Sequence, residues 1–286
     1  TGLVRREWHP LDHLPLSASY SNAVIATRSW PFDYFHINSI DQRPNGTTLI
    51  SARNTWSLYE LNSATGQVVA TIGGKQSSVN ILGAARTAYQ HDAQVLPNGT
   101  ISIFDNGAVP KVHPQSRGLI ESVNGTARTA TLLAQFEHPQ PLSAGSQGNL
   151  QPLSNGDFFI GWGSQPYFSE FAATGQLLFD AHMHGSYQAY RAYRFPWTGA
   201  PASTPSLALN EKSSKLTAYA SWNGDTRTAG WQLLAGANSA RLHVVSTSSR
   251  AGFETALSVP AKSAYFAVRA LDASGSVIGT SRAIHG

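Results

Sequence analysis

The sequence predicts an all-β fold, with a β-propeller over residues 1–205 and a small immunoglobulin-like or fibronectin-like β-sandwich over residues 206–286. Three observations predict it. An Asn-Gly turn recurs at Asn45, Asn98 and Asn155, at intervals of 53 and 57 residues. Short apolar strands follow each turn, with no convincing amphipathic helix of the kind that a parallel sheet requires. After residue 205 the pattern changes to short alternating strands without this repeat.

The composition fits many short strands joined by tight turns. Only 13% of the 286 residues are charged and 10% are aromatic, which excludes an intrinsically disordered chain. The absence of cysteine excludes disulfides, thiolate metal sites and a cysteine nucleophile. The formal net charge is +4, but the basic residues are scattered and no apolar run reaches the length of a membrane span. We therefore predict no nucleic-acid partner and no membrane span.

The sequence also predicts export to an extracellular or periplasmic location, because a chain without cysteine avoids mispairing in an oxidising compartment. Asn45, Asn98 and Asn124 each begin an Asn-Gly-Thr sequence. This sequence is an N-glycosylation signal, and Asn-Gly is also the preferred residue pair of a tight hairpin turn. Each asparagine is therefore a candidate glycosylation site, with a purely structural turn as the alternative.

Each repeat reads as four short strands with hairpin turns, which is typical of one propeller blade. Thr1-Gly2-Leu3-Val4 matches the turn and outer strand at Thr65-Gly66-Gln67-Val68, so the chain is expected to begin inside a blade. Residues 1–205 then hold about four blades. An open ring exposes sheet faces and edges. We expect either irregular blades that close the ring or an N-terminal fragment of the same precursor that completes it. A short helical turn is expected over Ile81–Arg86.

The residues after a proline-rich stretch, Pro196–Pro205, indicate a second domain. Alternating strands are predicted at 216–222, 230–235, 242–245, 264–270 and 276–278. This pattern favours a small sandwich whose core contains Trp222 and Trp231.

Two histidines occupy the same place in successive repeats, His36 nine residues before Asn45 and His91 seven residues before Asn98. In the third repeat, Asn149 holds this place. In a propeller it corresponds to the innermost strand, so the three side chains are expected to converge on one channel. Two imidazoles and an amide could supply a nucleophile, a general acid or base, or an anion site, although a structural role is equally compatible.

The remaining candidates are weaker on spacing alone. Arg117 follows the polar segment Asp105-Asn106-Gly107 and could hold an anion through its guanidinium fork. His138 precedes a proline, and His182 and His184 have no clear carboxylate partner for a metal site, so no metal is predicted. The other histidines are interpreted as structural or surface residues: His9, His13, His113, His243 and His285.

Taken together, these segments resemble the arylsulfotransferase family, in its secreted bacterial and fungal branch. The matching stretches follow in order along residues 1–200: Glu7–His13, Phe35–Asp41, Leu49–Asn54, Gln90–Ala93, Phe104–Gly107, Ser116–Gly118, Gly148–Gln151 and Gly161–Gly163. The tail around Ala220–Gly224 is similar to the sandwich that follows the propeller in this branch.

The resemblance implies a six-bladed propeller that moves a sulfuryl group from an aryl sulfate to a phenol through a histidine intermediate, without a cofactor. It implies that His36, His91 and Arg117 hold the sulfuryl oxygens, with Asn38, Asn106 and Asn149 as further substrate-binding residues. His138 is the nearest candidate for the nucleophile. Sulfuryl transfer needs positive charge and hydrogen-bond donors around the oxygens, as phosphoryl transfer does.

Two alternatives remain open. A non-catalytic or glycan-binding propeller predicts exposed aromatic side chains near the channel mouth, with Trp30, Trp56 and Trp162 as candidates. A propeller lyase would use histidine and tyrosine as acid and base.

Overall fold

The computed structural model describes residues 2–4, 6–23, 27–212, 215–259 and 263–286. The chain forms two compact units, Thr1–Arg194 and Phe195–Gly286. The described residues form strands and a few short 3-10 helices, which confirms the predicted all-β class. None of the helices in the described ranges is long and apolar enough to cross a membrane.

The first sheet of the first unit is an antiparallel meander of four strands. They are β1 (Ile37–Gln42), β2 (Thr47–Ala52), β3 (Ser57–Asn62) and β4 (Val68–Gly73), and they lie in sequence order. The predicted Asn-Gly turn joins β1 to β2. There the side-chain oxygen of Asn45 accepts a hydrogen bond from the backbone N–H of Thr47 at 3.1 Å, and Gly46 takes φ +82°.

The second sheet has the same meander and one extra edge strand. The meander consists of β6 (His91–Val95), β7 (Ile101–Asp105), β8 (Arg117–Asn124) and β9 (Thr129–Glu137). The short strand β5 (Asn80–Leu82) pairs in parallel with β9. The helical turn expected after Ile81 is a 3-10 helix at Gly83–Ala85.

The third sheet repeats the four-stranded meander. It contains β10 (Asn149–Pro152), β11 (Phe158–Gly161), β12 (Tyr167–Phe171) and β13 (Leu177–His182), again in sequence order. The repeat that the Asn-Gly spacing predicts is therefore a sheet of four antiparallel strands.

Two apolar cores join the three sheets face to face. The first core lies between the first and second sheets and includes Leu49, Leu58, Ile103 and Leu119. The second core lies between the second and third sheets, and its buried aromatic side chains are Phe104, Phe136, Trp162 and Phe171. Each large apolar side chain that is fully buried contributes about 1.5–3 kcal/mol. These cores fix the order of the sheets and bring their first strands together.

The described residues before 195 contain three sheets, each built on a four-stranded meander, where the spacing predicts about four blades. The segment before β1 accounts for the difference, because its described part carries two short 3-10 helices, Pro10–Asp12 and Leu16–Ala18, and no strand. Of the expected outer strand at the start of the chain, Thr1 lies outside the described residues, and Gly2–Val4 form no strand.

The second unit has two antiparallel sheets. One contains β14 (Ser206–Lys212), β15 (Lys215–Ser221) and β18 (Glu254–Ser258), in the order β14-β15-β18. The other has the order β17-β16-β19-β20, with a short strand pairing beside β20 on β19. Its strands are β16 (Gly230–Gly236), β17 (His243–Ser249), β19 (Tyr265–Leu271), β20 (Val277–Thr280) and β21 (Ile284–His285).

A single core joins these two sheets. Ala218 and Leu257 from one sheet meet Leu233 and Val268 from the other. The two tryptophans that the sequence assigns to this core, Trp222 and Trp231, are both buried in it. The sequence does not predict β14 and β18, whose residues alternate too weakly between apolar and polar to stand out.

Candidate active site

The inner strands of the three sheets of the first unit, β1, β6 and β10, meet at their N-terminal ends. Asn38 on β1 donates a hydrogen bond from Nδ2 to the carbonyl of Gln90, just before β6, at 2.7 Å. Asn106, just after β7, donates from Nδ2 to the carbonyl of Gln147, just before β10, at 3.0 Å. Side-chain amides therefore tie the neighbouring sheets together where the inner strands begin.

The backbone at these strand entries adopts the left-handed conformation. The φ values are +58° at His36, +57° at Tyr89, +52° at Asp92 and +66° at Gln147, none of which is glycine. Each such residue costs of order 1–3 kcal/mol, and strained residues of this kind cluster at ligand and catalytic sites. The strain marks the junction of the three inner strands as the candidate site.

His91 is held in one orientation at this junction. Only 4% of the residue is exposed. Its Nδ1 donates to the side-chain oxygen of Asn106 at 2.7 Å and lies 3.0 Å from the carbonyl of Tyr89, while Nε2 accepts from the backbone N–H of Gln147 at 3.2 Å. Because both acceptors face Nδ1, the proton lies there and Nε2 carries the lone pair.

His91 is also kept neutral. Burial lowers its pKa from 6.5 to about 4, and repulsion from Arg53 and His36 acts in the same direction, against the hydrogen bonds from Nδ1. At neutral pH, Nε2 is therefore an unprotonated nitrogen beside two basic side chains. This is the protonation state that a nucleophilic histidine requires.

Arg53 is a cationic member of the site that sequence reasoning did not single out. Its guanidinium stacks 4.7 Å from the centre of the Tyr89 ring and donates to the carbonyl of Gly145 at 3.0 Å. Burial lowers its pKa, which Tyr89 and Asp33 oppose. The available signal is the position of Arg53 directly after β2, at the same end of the sheet as the start of β1.

His36 lies on the more exposed side of the junction. Its Nδ1 contacts the carboxylate of Asp33, three residues earlier, and its side chain is partly open to solvent. A carboxylate on Nδ1 fixes the ring and leaves Nε2 for proton exchange, as in other carboxylate–histidine pairs.

A second ion pair lies beneath these residues. Arg191 contacts Asp92 at 2.9 Å and donates to the carbonyl of Asn38 at 2.9 Å. Burial raises the pKa of Asp92 to about 6, and Arg191 opposes this rise. The Oδ2 of Asp92 and the Oδ1 of Asn38 are buried and have no hydrogen-bond partner among the described residues. Asn38 therefore contributes to the junction mainly by joining β1 to β6 and Arg191.

The segment that carries Arg191 is fastened to β10 by two amide side chains. Asn149 accepts from the backbone N–H of Ala192 at 2.8 Å and donates to its carbonyl at 2.8 Å. Gln151 forms the same pair of bonds with the backbone of Arg194, at 2.8 and 3.0 Å. Asn149, predicted to contact substrate, uses both atoms of its amide to bind the chain itself in this structure.

Arg117, predicted to bind an anion, bonds to three groups of the protein in this structure. Its Nε donates to Asp105 at 2.9 Å, and its other nitrogens reach the carbonyl of Arg86 at 2.9 Å and the side chain of Gln135 at 3.3 Å. Asp105 is fully buried, so this ion pair satisfies a carboxylate inside the second sheet. The guanidinium fork is therefore committed to protein groups.

His138 directly follows β9 of the second sheet and contacts a chain of polar groups in the third sheet. Its Nε2 lies 3.1 Å from Asp180, which accepts from Ser169 at 2.7 Å, and Ser169 in turn accepts from Trp162 at 2.9 Å. Its Nδ1 contacts the backbone of Gln140. Both ring nitrogens are engaged and only 4% of the residue is exposed, so its geometry is that of a structural histidine.

The described residues contain no group of three or more histidine, aspartate or glutamate side chains placed to hold a metal ion. Of the three candidate channel aromatics, Trp162 is fully buried in the second core, Trp56 is half-buried and Trp30 is exposed. Asn45, Asn98 and Asn124 are exposed at turns.

Comparison with protein families decides the relationship of the chain. Residues 6–184 match the family described as arylsulfotransferase (ASST). The chain belongs to the arylsulfotransferase family. The matched range covers all three sheets of the first unit and includes His36, Arg53 and His91, so the junction of the inner strands lies inside the family region. The comparison with curated proteins gives no match.

Several solved structures are similar to this member of the arylsulfotransferase family at low sequence identity. A protein of unknown function from Bacteroides caccae has 13% identity and a TM-score of 0.35, covering 87% of this chain and 82% of that one. Hydrazine synthase from Kuenenia stuttgartiensis has 10% identity and a TM-score of 0.34, and the match covers 89% of this chain and 53% of that one. The β-propeller domain of Cps50 (Swd1) from Myceliophteria thermophila has 8% identity and a TM-score of 0.33, and the match covers 86% of this chain and 73% of that one. At these scores no conclusion rests on the similarity.

The structure thus brings His36, His91, Asn38 and Asn106 to one junction, with Arg53 as an additional cation. Arg117, His138 and Asn149 lie in separate hydrogen-bond networks. Each of these three side chains bonds to a carboxylate or a backbone segment of the protein itself.

Proposed function

We propose that this member of the arylsulfotransferase family transfers a sulfuryl group from an aryl sulfate to a phenol, with His91 as the nucleophile. The observation that carries the proposal is the state of His91. Its Nδ1 proton is held by Asn106, its Nε2 is unprotonated, and two basic side chains lie beside it.

In the first step, the Nε2 lone pair attacks sulfur, an Nε2–S bond forms and the S–O bond to the aryl group breaks. Arg53 offsets the negative charge of the sulfuryl oxygens. His36, oriented by Asp33, gives a proton to the departing aryl oxide. In the second step, His36 takes the proton of the phenol, whose oxygen attacks sulfur while the Nε2–S bond breaks. The hydrogen bond from Gln147 to Nε2 is at the long end of the normal range, so the substrate can displace it.

The test is release of nitrophenol from 4-nitrophenyl sulfate in the presence of a phenol acceptor. We expect wild type to release it and His91→Gln to lose the activity, with His243→Gln in the second unit as a matched control. Mass spectrometry of enzyme quenched without acceptor should find one sulfuryl group on the peptide that contains His91. Absence of nitrophenol release from wild type, or an adduct on another residue, would overturn the proposal.

We further propose that the three sheets are blades of a β-propeller of six blades, and that an N-terminal fragment of the same precursor supplies part of the ring. The support is the outer face of the first sheet, where Ile37 and Ile40 are exposed beside Ile50 and Leu61 in a groove of about 760 Å³. Such a face is normally covered in a folded protein. Intact mass and N-terminal sequencing of natural material test this, and a single chain with this face free in solution contradicts it.

For the second unit we propose a fibronectin-like sandwich. The strand orders β14-β15-β18 and β17-β16-β19-β20 support it, because each sheet combines strands from both halves of the unit over one core. We also propose export of the protein, with glycans on Asn45, Asn98 and Asn124 where the host glycosylates asparagine. Loss of mass on treatment with an N-glycosidase tests the glycans, and an unchanged mass of material from a eukaryotic secretory host contradicts them.

A further inference from the structure

A second cleft lies between the first and second sheets, and the proposed sulfuryl transfer does not use it. Its volume is about 390 Å³. One wall is a stacked aromatic pair, because the rings of Tyr20 and Trp56 lie parallel with their centres 3.6 Å apart. The indole N–H of Trp56 is buried and has no hydrogen-bond partner among the described residues. This wall therefore offers aromatic surface.

The opposite side of the cleft carries a histidine that a buried carboxylate orients. Nδ1 of His113 lies 2.8 Å from Asp105, which is fully buried. Nε2 makes no hydrogen bond within the described ranges, and the ring lines the cleft. A carboxylate on Nδ1 fixes the orientation of the ring and leaves Nε2 available to a ligand. His113, which the sequence interpretation assigned to surface or structure, is thus a positioned polar group facing a cavity.

Arg86 supplies a permanent positive charge at the same place. It lines the cleft, and it lies close enough to Tyr20 to act on the pKa of that side chain, lowering it against the rise that burial causes. Arg117 donates to its backbone carbonyl at 2.9 Å, which anchors this part of the loop. None of the described residues that line the cleft is acidic. Glu137 lines an adjoining hollow that Arg86 and His113 also border.

The cleft is distinct from the site around His91. Trp56 meets Tyr89 edge to face, with ring centres 5.0 Å apart, so these two rings stand between the cleft and Arg53. His113 binds Asp105, whereas His91 binds the next residue, Asn106. Among the described residues, none that forms the His91 junction lines this cleft.

We propose that this cleft binds a flat aromatic ring that carries one anionic group, such as an aryl carboxylate. The ring packs against Tyr20 and Trp56, and the anion binds Arg86 and His113. A planar carboxylate matches the guanidinium fork of Arg86 in geometry and charge. The inference does not depend on the role proposed for His91.

The experiment is a calorimetric titration of the full chain with 2-naphthoate, compared with 2-naphthol and cyclohexanecarboxylate. We expect 2-naphthoate to bind and each comparison compound to bind at least about tenfold more weakly, because one lacks the charge and the other the aromatic ring. Arg86→Gln should weaken binding of 2-naphthoate by about tenfold or more, since its exposed side chain carries a charge-assisted contact. Arg241→Gln, which removes one positive charge from the second unit, should leave it unchanged.

His113→Gln and His91→Gln complete the test. His113→Gln should weaken binding of 2-naphthoate. Circular dichroism checks that the second sheet stays folded when Asp105 loses this partner. His91→Gln should bind 2-naphthoate as wild type does. The proposal is overturned by absence of binding, by binding that Arg86→Gln does not weaken, or by binding that is lost in His91→Gln but kept in Arg86→Gln. The last outcome would place the ligand at the His91 junction.

Discussion

Glu121 makes the stability of the first unit depend on pH. It lies on β8, only 2% exposed, and its Oε1 has no hydrogen-bond partner among the described residues. Burial is the main cause that raises its pKa from 4.5 to about 8, repulsion from Asp105 adds to the rise, and Arg117 opposes it. The folded state therefore holds this proton more tightly than the unfolded chain does.

The sign and size of the effect follow from linkage. Stability from this group is fully present below pH 4.5 and falls as the pH rises towards 8, because only the unfolded chain releases the proton in that window. A pKa difference of roughly 3.5 corresponds to about 5 kcal/mol at 1.36 kcal/mol for each pH unit. Compactness of the unfolded chain and rearrangement of the folded protein around ionised Glu121 reduce this free energy. We therefore expect a loss of stability of about 3–5 kcal/mol.

The substitution Glu121→Gln removes the titration and keeps the shape of the side chain. Urea unfolding, followed by tryptophan fluorescence at pH 5 and pH 9, should show the variant close to wild type at pH 5 and more stable by about 3–5 kcal/mol at pH 9. The matched control is Glu137→Gln, an exposed position on the neighbouring strand β9. Its free energy of unfolding should differ from that of wild type by nearly the same amount at pH 5 and at pH 9. Parallel stability curves for wild type and Glu121→Gln would refute the reasoning.

Two other substitutions test packing. Trp231→Ala removes a fully buried ring from the sandwich core and should cost the second unit about 3–5 kcal/mol in urea unfolding, whereas an effect below about 1 kcal/mol would contradict that core. Gly148→Ala places a Cβ 2.4 Å from the Phe104 ring at φ +104°, and should cost more than Gly156→Ala, where φ is +90° and no atom lies within 4 Å. Equal thermal midpoints of the two glycine variants would show that the ring contact is relieved without cost.

Local patterns predict most of the strands, because Asn-Gly turns and alternating apolar residues act over only a few residues. The hairpin at Asn45 and the cores around Trp222 and Trp231 are examples. The number of sheets is harder to predict, since the described residues before β1 resemble part of a repeat in sequence but form only 3-10 turns. Pairing with a neighbouring strand, which a single sequence does not encode locally, decides whether such a segment becomes a strand.

The candidate site is only partly visible in the sequence. Equal positions in successive repeats identify His36 and His91, because the repeat fixes where an inner strand begins. Arg117 and His138 have the right residue types, but their partners are carboxylates of the protein itself: the buried Asp105 and the partly exposed Asp180. A distant acceptor determines the role of such a side chain, and spacing along the chain does not reveal it. The repeat does not identify Arg53, because it lies directly after β2 and the corresponding residues after β7 and β11 are Asn106 and Trp162.

The attachment of residues 192 and 194 to β10 separates two kinds of evolutionary constraint. Asn149 and Gln151 bind only the peptide groups of Ala192 and Arg194, which every residue except proline provides in full. The side chain at position 192 can therefore change while the segment keeps its path, whereas the side chain of Arg194 contacts the buried carboxylate of Glu170. Arg191, whose own side chain reaches Asp92, lacks that freedom. Where a scaffold binds a segment through its backbone groups, the side chains of that segment that have no partner of their own can change toward new ligands.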